Sequence, residues 1–144
     1  VEKFIHGQEA TCSIIQKKSD LKVLSILDIN INNNNNNNNN NINSFFDYES
    51  KFNNSIINTC TIESSKLPIF MQTMIKEIAK KIFVLLKCKD YANIDFIISD
   101  DDIYVLEVNT LPGLTENSLL CKALELNDYT LKNFLDDMIH QNIN

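Results

Sequence analysis

The 144-residue sequence has no arginine; its thirteen basic residues are all lysine. A planar, bidentate partner for carboxylate or phosphate is therefore missing, and lysine can act only as a point charge. Glycine occurs twice, at Gly7 and Gly113, too sparsely for a phosphate-cradling loop of the G-x-G type. No apolar run approaches the roughly 20 residues of a membrane span, and the first residues lack the pattern of a secretory signal. A net charge of −6 argues against nucleic acid or an anionic membrane as main partner. Cys12, Cys60, Cys88 and Cys121 are too far apart to suggest a zinc knuckle or a redox pair. Cys12 and Cys88 read as buried free thiols. These exclusions agree with a soluble, cytoplasmic chain.

What is present is organised around an unbroken run of ten asparagines, residues 32–41. The run has no periodic apolar face and cannot offset the entropy of ordering. It reads as an insertion over 29–44, tolerated because loop-closure entropy grows only logarithmically with length. Before it, 9–15 and 22–28 alternate as two strands around a polar turn. After it, Met71, Met74, Ile75, Ile78, Ile82, Leu85 and Leu86 recur at helical spacing within 67–87, with Pro68 placed in the first turn. Leu131, Phe134, Leu135, Met138 and Ile139 mark a closing helix. The order of elements indicates an α+β fold, a mostly antiparallel sheet with packed helices.

The chemistry concentrates in 93–118. Two short strands fold back on each other there, and pairing Ser99 with Ile103 across a three-residue loop sets Asp95 opposite Glu107 and Asn93 opposite Asn109. Ile94, Phe96, Ile98, Tyr104, Leu106 and Val108 then share the other face. Carboxylates directly across a ladder repel unless something lies between them. Two carboxylates and an amide oxygen suit a hard cation such as Mg²⁺, with places left for phosphate and water. Next come Thr110-Leu111-Pro112-Gly113 and a helical pattern starting at Ser118. A loop of free N–H groups running into a helix is a natural anion site. Metal ligands beside an anion loop suit phosphoryl or acyl-phosphate chemistry.

These residues carry a resemblance. Asn93-Ile94-Asp95-Phe96, Glu107-Val108-Asn109-Thr110-Leu111-Pro112-Gly113 and Thr115-Glu116-Asn117-Ser118-Leu119 resemble the C-terminal signature of the D-alanine–D-alanine ligases, members of the ATP-grasp superfamily. Val1-Glu2-Lys3-Phe4-Ile5-His6-Gly7-Gln8-Glu9 resembles the adenine hinge of that family. Phe46-Asp47-Tyr48-Glu49-Ser50-Lys51-Phe52 resembles its mobile substrate loop. The resemblance implies a partial ATP-grasp domain over 1–144, the back half of an enzyme whose glycine-rich loop would belong to a missing N-terminal half.

It also implies an ATP-dependent ligase acting on small molecules, which phosphorylates the carboxylate of one D-alanine-like amino acid and lets a second amine attack the acyl phosphate. Asp95, Glu107 and Asn109 would hold Mg²⁺; Glu2, Lys3, Phe4 and Ile5 would border adenine, and Glu9 would accept the ribose hydroxyls. Lys51 would approach the transferred phosphate, Gly113 would donate N–H near the oxyanion, and Ser118 would hold the carboxylate of the second substrate. Two positions depart from the family pattern. Asn93 stands where an arginine precedes the metal aspartate by two residues, and Phe52 stands where the substrate loop usually ends in tyrosine. Loss of one charged transition-state donor costs on the order of 10²–10³ in rate. A degenerate nucleotide-binding module, or a ligase for other substrates, therefore stands beside the first reading.

Overall fold

The computed structural model describes residues 3–31, 60–100 and 102–143. Five strands form one sheet: β1 Gln8–Lys17, β2 Asp20–Ile31, β3 Cys60–Ser64, β4 Tyr91–Ser99 and β5 Asp102–Asn109. Their spatial order is β3-β2-β1-β4-β5, and every neighbouring pair is antiparallel. The helices are α1 Ile69–Leu85, α2 Leu119–Glu125 and α3 Leu131–Ile143. The expected α+β layering is what forms.

The hairpin turns show how the chain copes with few glycines. Lys17 pairs with Asp20, so β1 and β2 are joined by a two-residue loop. Tight hairpins of this kind need positive φ, and Lys18 supplies it at 56°. Asp100 does the same between β4 and β5, at 53°. Aspartate tolerates this region through its short polar side chain; at Lys18 the turn overrides the preference.

Each face of the sheet has its own core. Ala10, Cys12 and Ile14 of β1 and Ile94, Phe96 and Ile98 of β4 pack against Met71, Ile75, Ala79 and Phe83 of α1. These four helical residues recur at intervals of four, which keeps them on one side of α1. On the opposite face Ile15, Leu24 and Leu27 meet Leu120, Ala123 and Leu124 of α2 and Phe134 of α3. Leu24 and Ile26 lie on different faces despite a spacing of two. The cause is a bulge: Cys12 pairs with Ile26 and Ile14 with Val23, so Leu24 and Ser25 oppose Ser13 alone and the alternation slips. Burying each such Leu, Ile or Phe side chain contributes roughly 1.5–3 kcal/mol.

Several boundaries differ from the sequence expectation. Pro68 is the N-cap, with ψ at 145°, and not a first-turn residue; the Gln72 N–H nevertheless donates to its carbonyl at 3.0 Å. β2 continues beyond residue 28 to Ile31 because β3, a strand the sequence pattern did not disclose, pairs with it from Leu27 to Ile31. α3 extends to Ile143, where its last turn is tied down. Gln141 Nε2 and Asn142 Nδ2 both donate to Asp90 Oδ1, at 3.1 and 3.2 Å, and the Lys18 N–H donates to Gln141 Oε1. The asparagine run and the substrate-loop segment 46–52 lie outside the described residues.

Candidate metal and nucleotide site

The site is built on the β4–β5 hairpin, whose register corrects one expectation while preserving its consequence. Ser99 pairs with Asp102 and Ile98 with Ile103, across a loop of two residues and not three. Uncorrected, that change would slide every later pair by one position. A bulge restores it: Phe96 pairs with Val105 and Asp95 with Glu107, leaving Leu106 as the extra residue. Asp95 therefore does lie opposite Glu107, and Asn93 opposite Asn109. The expected inward face is right for Ile94, Phe96, Ile98 and Val108 and wrong for Tyr104 and Leu106. Tyr104 pairs with Ile97, on the face that carries the acidic pair, and Ile103 takes its place against the α1 core. Both Tyr104 and Leu106 are exposed.

A polar row crosses three strands on this face. Thr11 pairs with Asp95 and Ser13 with Asn93 from the β1 side; Glu107 and Asn109 close it on β5. Thr11, Ser13 and Asn93 are buried, at 0%, 0% and 4% exposure, whereas Asp95 is half-buried and Glu107 and Asn109 are exposed. The Ser13 hydroxyl donates to Asn93 Oδ1 at 2.8 Å, and Thr11 Oγ1 donates to the Ile94 carbonyl at 3.4 Å. Ser13 and Thr11 were not singled out from the sequence. Two small hydroxyl residues at a spacing of two, inside an otherwise apolar strand, were the available signal.

The donor set fits Mg²⁺. Two carboxylates face each other across the ladder, and an amide follows two residues along on the same face. Among the described residues, no three His, Cys, Asp or Glu side chains cluster as metal ligands. A site with only two carboxylates matches the habit of Mg²⁺, which keeps waters and takes substrate phosphates where a protein cage would be incomplete. Asn109 Oδ1 accepts the Leu111 N–H at 3.0 Å, which fixes the amide, and the oxygen retains a second lone pair.

The loop after β5 is less open than expected. The Leu111 N–H is taken by Asn109, and the Ser118 N–H donates to the Thr115 carbonyl at 2.8 Å. Ser118 is the N-cap of α2, its Oγ accepting the Cys121 N–H at 3.3 Å. This leaves the hydroxyl hydrogen available to an outside acceptor. Gly113 lies beside it: a Cβ there would meet only Ser118 Cβ, at 3.7 Å.

The hinge segment adjoins the same sheet. Lys3 and Phe4 are exposed, Ile5 is half-buried, and Glu9 is a half-buried β1 residue paired with Ile97. The Phe4 and His6 rings meet edge to face at 4.4 Å. Gly7 is fixed by space: a Cβ would lie 2.3 Å from the Ile98 carbonyl oxygen. Glu2 and Lys51 lie outside the described residues.

Residues 1–140 match the family described as D-ala D-ala ligase C-terminus. The chain belongs to the D-alanine–D-alanine ligase family. D-alanine–D-alanine ligase A of Bacillus cereus is 33% identical over 144 residues, which cover 99% of this chain and 42% of that protein. D-alanine–D-alanine ligase B of Clostridium perfringens is 32% identical over 145 residues, covering 100% and 42%. Among solved structures, D-alanine–D-alanine ligase from Bacillus anthracis complexed with ATP superposes with a TM-score of 0.73 at 30% identity. That match covers 99% of this chain and 40% of the other. The chain thus spans about two fifths of the length of these relatives. Its fold is the C-terminal part of the ATP-grasp architecture found in this ligase family.

Proposed function

We propose that the chain supplies the metal- and nucleotide-binding part of an ATP-dependent ligase joining two D-alanine-like amino acids. The observation that carries this reading is the opposition of Asp95 and Glu107, with Asn109 on the same face. The Bacillus anthracis relative is complexed with ATP, which supports the choice of nucleotide. Asp95, Glu107 and Asn109 would hold Mg²⁺, which would neutralise phosphate charge during transfer.

The other roles are those that the family resemblance implies. The backbone of Lys3, Phe4 and Ile5, with Glu2, would border adenine, and the Glu9 carboxylate would accept the ribose hydroxyls. Lys51 would bring a point charge to the transferred phosphate. The Gly113 N–H would stabilise the oxyanion formed when the amine attacks the activated carboxyl. The Ser118 hydroxyl, already oriented by its cap bond, would donate to the carboxylate of the second amino acid.

A second reading, a nucleotide-binding module with reduced catalysis, is favoured by one feature. Asn93 is buried and committed to Ser13, and no arginine anywhere in the chain offers a cationic substitute. Calorimetry tests the Mg·nucleotide site that both readings share. Asp95→Asn combined with Glu107→Gln should abolish the Mg²⁺ dependence of ATP affinity while the far-ultraviolet spectrum stays unchanged. Undiminished Mg·ATP binding in a folded double variant would refute the assignment.

A further inference from the structure

α1 carries a second apolar cluster, at its C-terminal end and away from the sheet. Ala79 and Phe83 bury the inner side of the helix, while Val84, Leu85 and the cap residue Leu86 are 64%, 79% and 57% exposed. Single surface leucines need no account, but three such residues in succession form a patch. Residues 80–89, KKIFVLLKCK, hold four lysines and no carboxylate in a chain whose net charge is −6. Glu77 neutralises Lys80, at 3.0 Å. Lys81, Lys87 and Lys89 are exposed, and among the described residues none of them is in an ion pair.

The backbone adds weight to Lys87. The helix ends in a Schellman turn: the Lys87 N–H donates to the Val84 carbonyl at 3.0 Å, and the Cys88 N–H to the Phe83 carbonyl at 2.9 Å. The residue after the cap then takes a left-handed conformation, a place usually given to glycine. Lysine holds it at φ 53°, against the preference of any residue with a Cβ. A helix C-terminus attracts lysine by its dipole alone, yet the dipole gives no reason for exposed apolar residues beside it.

We propose that this end of α1 is a docking surface for an anionic lipid bilayer. Val84, Leu85 and Leu86 enter the acyl boundary, and Lys81, Lys87 and Lys89 meet the headgroup phosphates. Charge complementarity chooses the occupant. Lysine is depleted in interfaces between proteins but enriched beside the apolar residues of segments that lie on membranes. A second copy of the chain would bring like-charged lysines together. The net charge opposes a diffuse attraction to anionic lipid but not this local contact, because charges beyond about 8–10 Å are screened at physiological salt. The bilayer is bound and not crossed, since no helix among the described residues is long and apolar enough to span it. α1 packs on the face of the sheet opposite to Asp95, so docking leaves the metal row uncovered.

The test is cosedimentation of the full chain with vesicles of phosphatidylcholine alone and of phosphatidylcholine mixed equally with phosphatidylglycerol. Binding is expected only to the mixed vesicles, and raised salt should release the chain. Leu85→Ser with Leu86→Ser should weaken binding at least about tenfold with the far-ultraviolet spectrum unchanged. Lys87→Gly should weaken it about fivefold, near the value of one lysine at an anionic surface, while raising the thermal midpoint by relieving the left-handed position. Lys132→Gln, an exposed charge on α3, should leave binding as it was; a loss equal to that of Lys87→Gly would reduce the effect to overall charge and overturn the patch. Absence of binding to mixed vesicles overturns the proposal, as does binding that the leucine and Lys87 variants leave intact. Concentration-dependent association without lipid in sedimentation velocity, lost in the double leucine variant, would overturn it in favour of a second copy.

Discussion

Replacing Gly7 by alanine tests how the hinge is held against the sheet. Glycine here is not needed for its backbone freedom, since no glycine among the described residues has positive φ. It is needed for clearance. A Cβ would lie 2.3 Å from the Ile98 carbonyl oxygen, 2.6 Å from Ile97 Cγ2 and 2.9 Å from the Ile98 carbonyl carbon. The isoleucine methyl could rotate away, but the two Ile98 atoms are backbone. Relief therefore requires the hinge and the end of β4 to separate by about 1 Å, the shortfall from an ordinary van der Waals contact near 3.4 Å. The Gln8–Ile98 pair that ends the β1–β4 ladder lies directly beside this contact.

Overpacking of this kind typically costs about 1–3 kcal/mol, and a backbone obstacle puts Gly7→Ala toward the upper end. Urea denaturation should show the midpoint falling with the slope unchanged. Hydrogen exchange should quicken at the Gln8 end of β1, where the strand can fray to escape the clash. Gly113→Ala is the control, because its Cβ would make only an ordinary contact at 3.7 Å. It should alter stability by no more than about 0.5 kcal/mol. Equal stability of Gly7→Ala and the parent, with unchanged exchange at the start of β1, would refute the clearance argument.

Deleting Leu106 should leave Asp95 opposite Glu107, because it removes only the bulged residue; deleting Val108 should turn Asn109 to the α1 face, and cross-strand nuclear Overhauser contacts distinguish the two. Phe134 is 1% exposed and meets Tyr91 edge to face at 5.4 Å, so Phe134→Ala should cost about 3–5 kcal/mol by denaturation and release α3. The Tyr129 hydroxyl donates to Asp137 Oδ2; burial and this bond push its pKa up to about 12 from 10.0. Its contribution to stability is complete below pH 10 and is lost as pH rises toward 12. Tyr129→Phe should delete a late step in the tyrosinate absorbance. Asp137 is shifted the other way, first by the hydrogen bond from Lys17 and then by that from Tyr129. Its contribution is present above about pH 3.8 and fades as acid titrates the folded carboxyl, so Lys17→Met should weaken stability near neutrality more than at pH 2.

The legible parts of this fold were those with a strong period. Alternation over 9–15 marked β1, and apolar residues at helical spacing from Met71 to Leu86 marked α1, although Met74, Leu85 and Leu86 of that set are exposed. β3 was not legible: Cys60-Thr61-Ile62-Glu63-Ser64 is five residues at a sheet edge, and its pairing with β2 supplies what its sequence does not. The hairpin shows a subtler limit. A three-residue loop with a regular ladder and a two-residue loop with a bulge both set Asp95 against Glu107. The sequence pattern could find the acidic pair without distinguishing these routes, and the error surfaced only between them, at Ile103 and Tyr104. The Ser13–Asn93 bond was beyond reach for a different reason, since it joins residues eighty apart through a pairing of β1 with β4 that no local period encodes.

β4 does two jobs with one alternation. Ile94, Phe96 and Ile98 bind the sheet to α1, while Asn93 and Asp95 face the polar row. Any slip of register by one residue would bury Asp95 against α1 and expose the core, so folding and site assembly are selected together. The bulge at Leu106 lies between the Phe96–Val105 and Asp95–Glu107 pairs, so the two ends of β5 keep separate registers against β4. Substitution of the half-buried Asp95 can therefore leave the α1 core intact, whereas substitutions of Ile94, Phe96 and Ile98 act on that core directly.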